Sequence, residues 1–304
     1  MSSRPTEDPT TTAMASRTPR INPTMNAYRT GARRGMISTK IRLTTPSDVL
    51  GKLIPLALFV AVLLFLQGVD FDGAEVSLGA MNLPGLIAMI VLFSAVTGIA
   101  NILMMDRTNG TLLRSKSAPT GTTGYLVGEI LANAITTVVS AIVVLIAGLI
   151  LFDGLVFDSP DRWLLFALAL ALGLVATLSI GAVVGSLFES PKNMGLVMIP
   201  MIGLISISGI FYPLVALPIW LQWIAQVFPL YWFGLGMRAS LLPDTMAAVE
   251  VAEAWRIEWV FLLLAAWAIV GMALAPKLLS RMARRESGST LAGRRQQMQQ
   301  QVGV

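Results

Sequence analysis

The residues that could do work in this chain are concentrated in Asp106 to Tyr125, DRTNGTLLRSKSAPTGTTGY, a sizeable polar island with three cations between two long apolar runs. What it offers is mechanical and electrostatic. Asp106 or Asn109 can cap a short helix centred on Thr111, Leu112 and Leu113, and Pro119, Gly121 and Gly124 break that helix before the next apolar run. A short, basic, amphipathic element held outside a bilayer is something a soluble partner can push on. Most catalytic chemistry is excluded, because the chain has no Cys and no His. Thiol nucleophiles, disulfides, Ser-His-Asp triads, imidazole proton relays and His-ligated metals all need one or the other. There is also no G-x-x-x-x-G-K-[ST] stretch, so the phosphate cradle of an ATPase is missing and the chain is not expected to be an enzyme or to hold a cofactor.

The elements around that island read as membrane. Hydrophobic residues make up 55% of the 304 and charged residues 13%, against roughly 45–50% and 25% in a soluble domain; mean hydropathy is +0.72. The expectation is an all-α polytopic membrane protein. Its pI near 9.9 fits basic flanks against anionic headgroups better than nucleic acid. A hydrocarbon core of about 30 Å takes roughly 17–25 helical residues. Six apolar runs qualify: Leu53 to Val69, Leu83 to Met105, Tyr125 to Phe152, Trp163 to Phe188, Met194 to Tyr212 and Ile257 to Leu279. Between the last two, Pro213 to Gly234 is apolar but cut by Pro213, Pro218 and Pro229, which predicts a re-entrant helical hairpin.

Residues 1–21 read as a disordered cytosolic tail with no signal peptide, 22–48 as an amphipathic interfacial helix, 49–285 as the six-span domain and 286–304 as a polar cytosolic tail. In the interfacial segment Tyr28, Met36, Ile37 and Ile41 are interleaved with Arg29, Arg33, Arg34, Lys40 and Arg42, while Gly31 and Gly35 weaken the helix. With the N-terminus inside, 19 of the 22 cations are cytosolic and only Arg162, Arg238 and Arg256 lie outside. Both termini are therefore expected in the cytosol. Trp163, Trp220, Trp223, Trp232, Trp255 and Trp259 then fall at the outer interface.

The six runs carry no charge at mid-depth, which argues against an ion-coupled carrier and against a charged substrate cavity. Glu129 reads as an interfacial carboxylate pairing with Lys116 or Arg114, or capping a helix start. Asn101 and Asn133 are candidates for hydrogen bonds between helices. Energy must then come from another chain.

At this point the residues resemble a known family, the permease subunits of type-2 (ABC-2) ATP-binding cassette exporters, with daunorubicin-resistance-like drug exporter permeases the nearest kind. Asp106, Gly110, Thr111, Leu112, Arg114 and Pro119 match the family's loop after the second span. Pro213, Pro218, Trp220, Pro229, Tyr231 and Arg238 match its re-entrant segment. Asp106 stands where Glu is frequent, and Asn109 where a charge is common.

The resemblance implies coupling to an ATPase subunit through Asp106, Arg107, Asn109, Gly110, Thr111, Leu112, Leu113 and Arg114, and through an interfacial helix presenting Tyr28, Arg33, Arg34, Ile37, Lys40 and Ile41. It implies an outer gate at Phe211, Pro213, Leu214, Leu217, Pro218, Trp220 and Pro229. It further implies a cytosolic P-loop ATPase partner carrying ATP and Mg, a second permease copy, membrane lipid around both, and a place in the bacterial plasma membrane. Small residues at Gly181 and Gly185, and at Gly203 and Ser206, suit close helix packing, between copies or within one. The function implied is export of an amphipathic or hydrophobic substrate, a hydrophobic drug being the leading guess; the alternatives are a secondary carrier or a non-transporting scaffold or sensor subunit.

The orientation has a direct check, because the natural chain offers no thiol background. Ala247→Cys lies in the acidic stretch between Leu241 and Arg256 and should react with an impermeant maleimide on intact cells. Labelling only after the cells are broken would reverse the topology.

Overall fold

A computed structural model describes residues 23–67, 76–109, 121–188 and 191–285. Among them the chain forms helices and connecting turns, without strands: α1 (Pro23–Thr44), α2 (Pro46–Gln67), α3 (Leu78–Asn109), α4 (Gly121–Leu151), α5 (Pro160–Leu187), α6 (Met194–Ile207), α7 (Ile219–Val227), α8 (Pro229–Leu241) and α9 (Ile257–Arg285). Helix satisfies every backbone group within its own segment, which hydrocarbon demands. Both tails, and Gly110 to Pro119 of the proposed coupling loop, lie outside the described residues.

Among the described residues five helices are long and apolar enough to cross a membrane, namely α2, α3, α4, α5 and α9. Six crossings were expected, and the difference lies at Met194 to Tyr212. Helix α6 has 14 residues, about 21 Å at 1.5 Å per residue, short of the roughly 30 Å of hydrocarbon. It stops because Gly209 turns the chain at φ 68°. The Gly209 carbonyl then accepts a 3.1 Å hydrogen bond from Arg238 Nη1 rather than continuing a helical ladder.

The interfacial segment is also bounded differently. It is one helix from Pro23 to Thr44, and a break at Thr45 starts α2 at Pro46, so Lys52 lies inside α2.

Helix α3 is the most enclosed of the five and α2 the least. The neighbours of α3 reach it where side chains are missing. A Cβ on Gly181 would sit 2.9 Å from the Ala95 carbonyl oxygen and from Val96 Cα, and one on Gly185 would sit 2.8 Å from Ala100 Cα. The Gly181 and Gly185 pair therefore packs α5 on α3 within one chain. Asn133 of α4 reaches across to α3, its amide donating to the Ala95 carbonyl at 3.3 Å. Asn101 is exposed.

The same device joins α1 to α4. Ala27, Gly31, Gly35 and Thr39, spaced four apart, form the buried face of α1, the ridge used in common helix crossings. A Cβ on Gly31 would lie 2.5 Å from the Gly124 carbonyl oxygen, and one on Gly35 would lie 2.7 Å from that of Gly128. The two glycines that weaken the helix in isolation are what docks it.

This predicts opposite signs for two identical substitutions. Gly31→Ala drives a methyl into backbone that can yield only by helix separation, at about 1–3 kcal/mol. Around Gly203 a Cβ meets nothing within 4 Å, so Gly203→Ala gains helix propensity of up to about 1 kcal/mol. Thermal unfolding in detergent, followed by tryptophan fluorescence, should fall for the first and hold or rise for the second.

Candidate functional site

At the end of the bundle where α1 lies, the polar groups tie helices together. The Tyr125 hydroxyl of α4 donates to Asp106 Oδ2 of α3 at 2.6 Å, and the Arg34 guanidinium of α1 lies 4.5 Å from the Tyr125 ring centre. Arg42 of α1 pairs with Glu129 of α4 at 2.5 Å. Glu129 thus finds a cation on α1; Lys116 and Arg114, its expected partners, lie outside the described residues.

Two of the expected coupling residues are buried. Asp106 is committed to Tyr125, and Arg107 donates to the carbonyls of Phe188 at 2.8 Å and Ser186 at 2.7 Å, satisfying the open C-terminal end of α5. They brace α3 from inside. On α1, Tyr28, Arg33, Arg34, Ile37, Lys40 and Ile41 all remain exposed. At 100° per residue, Arg29, Arg33 and Lys40 form one cationic stripe, flanked by Met36 on one side and by Ile37 and Ile41 on the other.

Above this lies a cavity of about 540 Å³ between α2, α3, α4 and α6. Lys52, Pro55, Leu56 and Phe59 repeat at one helical face of α2, and Met89, Ile90, Phe93, Ser94 and Thr97 do so on α3. Ser140, Ile202, Ile205, Ser206 and Phe211 close the rest. The absence of charge expected for the cavity does not hold, because the lengthened α2 brings Lys52 into its wall. A second cavity of about 450 Å³, bounded by α3, α5, α6 and Trp267 of α9, is lined by apolar side chains and proline.

The other end of the bundle is built on α8, all 13 residues of which are buried. Phe228 and Pro229 separate α8 from α7, in keeping with the expected pair of short helices. Arg238 of α8 pairs with Glu250 at 2.5 Å, with side chains only 5% and 3% exposed. Arg162 donates to the Leu242 carbonyl at 2.7 Å and reaches Asp244 at 3.2 Å, closing the C-terminus of α8. Arg256 donates to Gln226 Oε1 at 2.9 Å and to the Tyr231 hydroxyl, and lies 4.9 Å from the Trp232 ring centre. Burial and nearby Glu250 push the Tyr231 hydroxyl well above its ordinary value, so it stays protonated. The three cations expected outside are thus all structural.

Of the expected gate residues, Phe211 alone lines the 540 Å³ cavity. Leu214 is 1% exposed and sits in the core. Leu217 is half-buried, Trp220 and Pro218 are exposed, Pro213 is half-buried and Pro229 is buried. Trp232 and Trp255, expected at the interface, are buried as well, whereas Trp163, Trp220, Trp223 and Trp259 are exposed. The docking pattern of Ala27, Gly31, Gly35 and Thr39 is visible in the sequence as four-residue spacing, but glycine ordinarily signals a helix break.

Five membrane-length helices packed around a shared apolar core define a multi-pass membrane protein. The family model described as ABC-2 type transporter matches residues 45–242, about two thirds of the chain. The chain belongs to that family, as a transporter permease subunit, and the family works in general with a partner ATPase subunit. Comparison with curated proteins gives no match.

The buried pair at Arg238 allows a test of what holds the α8 end. Glu250→Ala leaves a buried guanidinium without its carboxylate, a change worth about 3–5 kcal/mol. Thermal unfolding of this variant should drop sharply, whereas the double variant Arg238→Met, Glu250→Leu should recover most of the loss. Equal melting of the single variant and the wild type would show that the pair carries no stability.

Proposed function

We propose that this chain is the transmembrane half of an ATP-driven exporter in a bacterial plasma membrane, moving an amphipathic or hydrophobic substrate out of the cytoplasm. The observation that carries the reading is the cavity between α2, α3, α4 and α6, whose lining is mostly apolar and whose size lies in the roughly 300–1,000 Å³ range of small-molecule sites. The chain itself has no nucleotide cradle. ATP and Mg are assigned to a separate cytosolic P-loop subunit, and a second permease copy, identical or not, completes the pathway.

In this reading both termini are cytoplasmic. Helix α6 with the turn to Tyr212 makes the sixth crossing, and α7 with α8 forms the re-entrant hairpin. The ATPase engages the loop at Asn109 to Arg114 together with the exposed cationic stripe of α1. Closure of the ATPase displaces α1, and the glycine contacts and the Arg42–Glu129 pair pass that displacement to α4. Differential contact with the partner shifts the bundle between two packings and empties the cavity outward.

Phe211 serves as the gate side chain: it is 43% exposed and lines the cavity, and an apolar ring there excludes water from the path. In proteoliposomes containing the permease and its ATPase, Phe211→Ser should assemble normally but export more slowly, with altered basal hydrolysis. Leu214→Ser, deep in the core, should instead lower the yield of folded protein by costing about 2–5 kcal/mol. Wild-type export and hydrolysis by Phe211→Ser would remove the gate from this segment, and ATP-independent export would sink the reading as a whole.

A further inference from the structure

The cavity wall has a chemical polarity that its apolar character hides. Lys52 projects from the second turn of α2, on the face shared with Pro55, Leu56 and Phe59. Among the described residues it forms no ion pair: the pairs found there are Arg42–Glu129, Arg162–Asp244 and Arg238–Glu250. The charged groups that bear on it, Arg42 and Asp48, are of opposite sign. One cation without an ion-pair partner among the described residues therefore belongs to the cavity wall.

Three of the four hydroxyls lining the same cavity, Ser94 being the exception, are turned one way. Thr97 donates to the Phe93 carbonyl at 2.6 Å, Ser140 to Thr136 at 3.0 Å and Ser206 to Ile202 at 2.9 Å. Each proton is spent on the residue's own helix, so the lone pairs are what remains for a ligand. Pro55 has no N–H for the Gly51 carbonyl one turn back, which adds an acceptor next to Lys52. A Cβ on Gly51 would meet nothing within 4 Å, so there is room beside that carbonyl.

We propose that the cavity is built for a drug-sized acidic amphiphile. Its anionic head sits on Lys52, its apolar body lies along Phe59, Phe93 and Ile205, and hydroxyl or amide donors on the body meet Thr97, Ser140 and Ser206. This names the substrate class within the export reading and rests on that reading for the cavity's role. A cationic amphiphile is disfavoured by Lys52. A bilayer phospholipid is disfavoured by volume, since about 540 Å³ suits a single drug-sized body rather than two acyl chains.

The chain's lack of Cys makes occupancy measurable. Ser94→Cys places a thiol in the cavity wall, and the rate of its reaction with a maleimide is followed in the full chain held in phosphatidylcholine nanodiscs, without ATP or ATPase. Dodecyl phosphate, dodecanol and dodecyltrimethylammonium are added at equal membrane-bound amounts. Dodecyl phosphate should protect the thiol at a concentration about tenfold lower than either of the others. Adding Lys52→Gln should abolish that preference, and Lys52→Arg should keep it.

Equal protection by the three probes, or a preference that survives Lys52→Gln, overturns the proposal. So does loss of dodecyl phosphate protection when phosphatidylglycerol makes up about a third of the disc, because the site then belongs to membrane lipid. Binding is read without the energy source, so failure of ATP-driven export leaves this result untouched. Failure of charge preference leaves export standing.

Discussion

Helix α3 is held by the places where side chains are missing. In hydrocarbon the hydrophobic effect gives helices no reason to prefer one another over lipid, so association rests on dispersion contacts and a few interhelical hydrogen bonds. Both fall off steeply with distance, which makes the closest backbone approaches decisive. Gly181 and Gly185 bring α5 onto Ala95, Val96 and Ala100, and Asn133 brings α4 onto the same stretch of α3. The cavity and the buried α8 are arranged around this fixed axis.

Helix α1 obeys the same constraint although its outer surface is basic. Gly31 and Gly35 seat it on Gly124 and Gly128 at backbone distance, and Arg42–Glu129 and Arg34 over Tyr125 fix its register. Tyr125 in turn holds Asp106. A displacement of α1 therefore reaches α4 by steric contact, and α3 through the Tyr125–Asp106 bond and through α4 itself, which Asn133 ties to Ala95. The cations on its free face keep no structural duty, in contrast to Arg42 and Arg107.

Composition and apolar run length made the helical membrane class legible, because those follow from bilayer thickness and backbone satisfaction alone. The Pro213, Pro218 and Pro229 spacing likewise marked a segment of short helices, now seen as α7 and α8. What escaped was tertiary. Asp106 and Arg107 read as loop chemistry because polarity next to a turn suggests exposure, yet Arg107 sits inside and donates to the open carbonyls at the end of α5. Leu214 read as a pore residue because apolar residues beside proline look exposed in a loop, yet the turn at Gly209 folds it inward. Lys52 stands just before the apolar run that begins at Leu53, whereas Pro46 starts the helix two turns before that run.

The burial of α8 has a bearing on biosynthesis. Its 13 residues are packed against α3, α5 and α9, and its Arg238 depends on Glu250, so two of the contacts that shelter it are made by chain that follows it. A ribosome delivers these pieces in order. Until Glu250 emerges Arg238 lacks its carboxylate, and until α9 follows the face of α8 at Gly236 lacks the cover of Val260. The inner packing is thus closed by α9, and quality control at the membrane meets an unfinished core for as long as that helix is still in the ribosome.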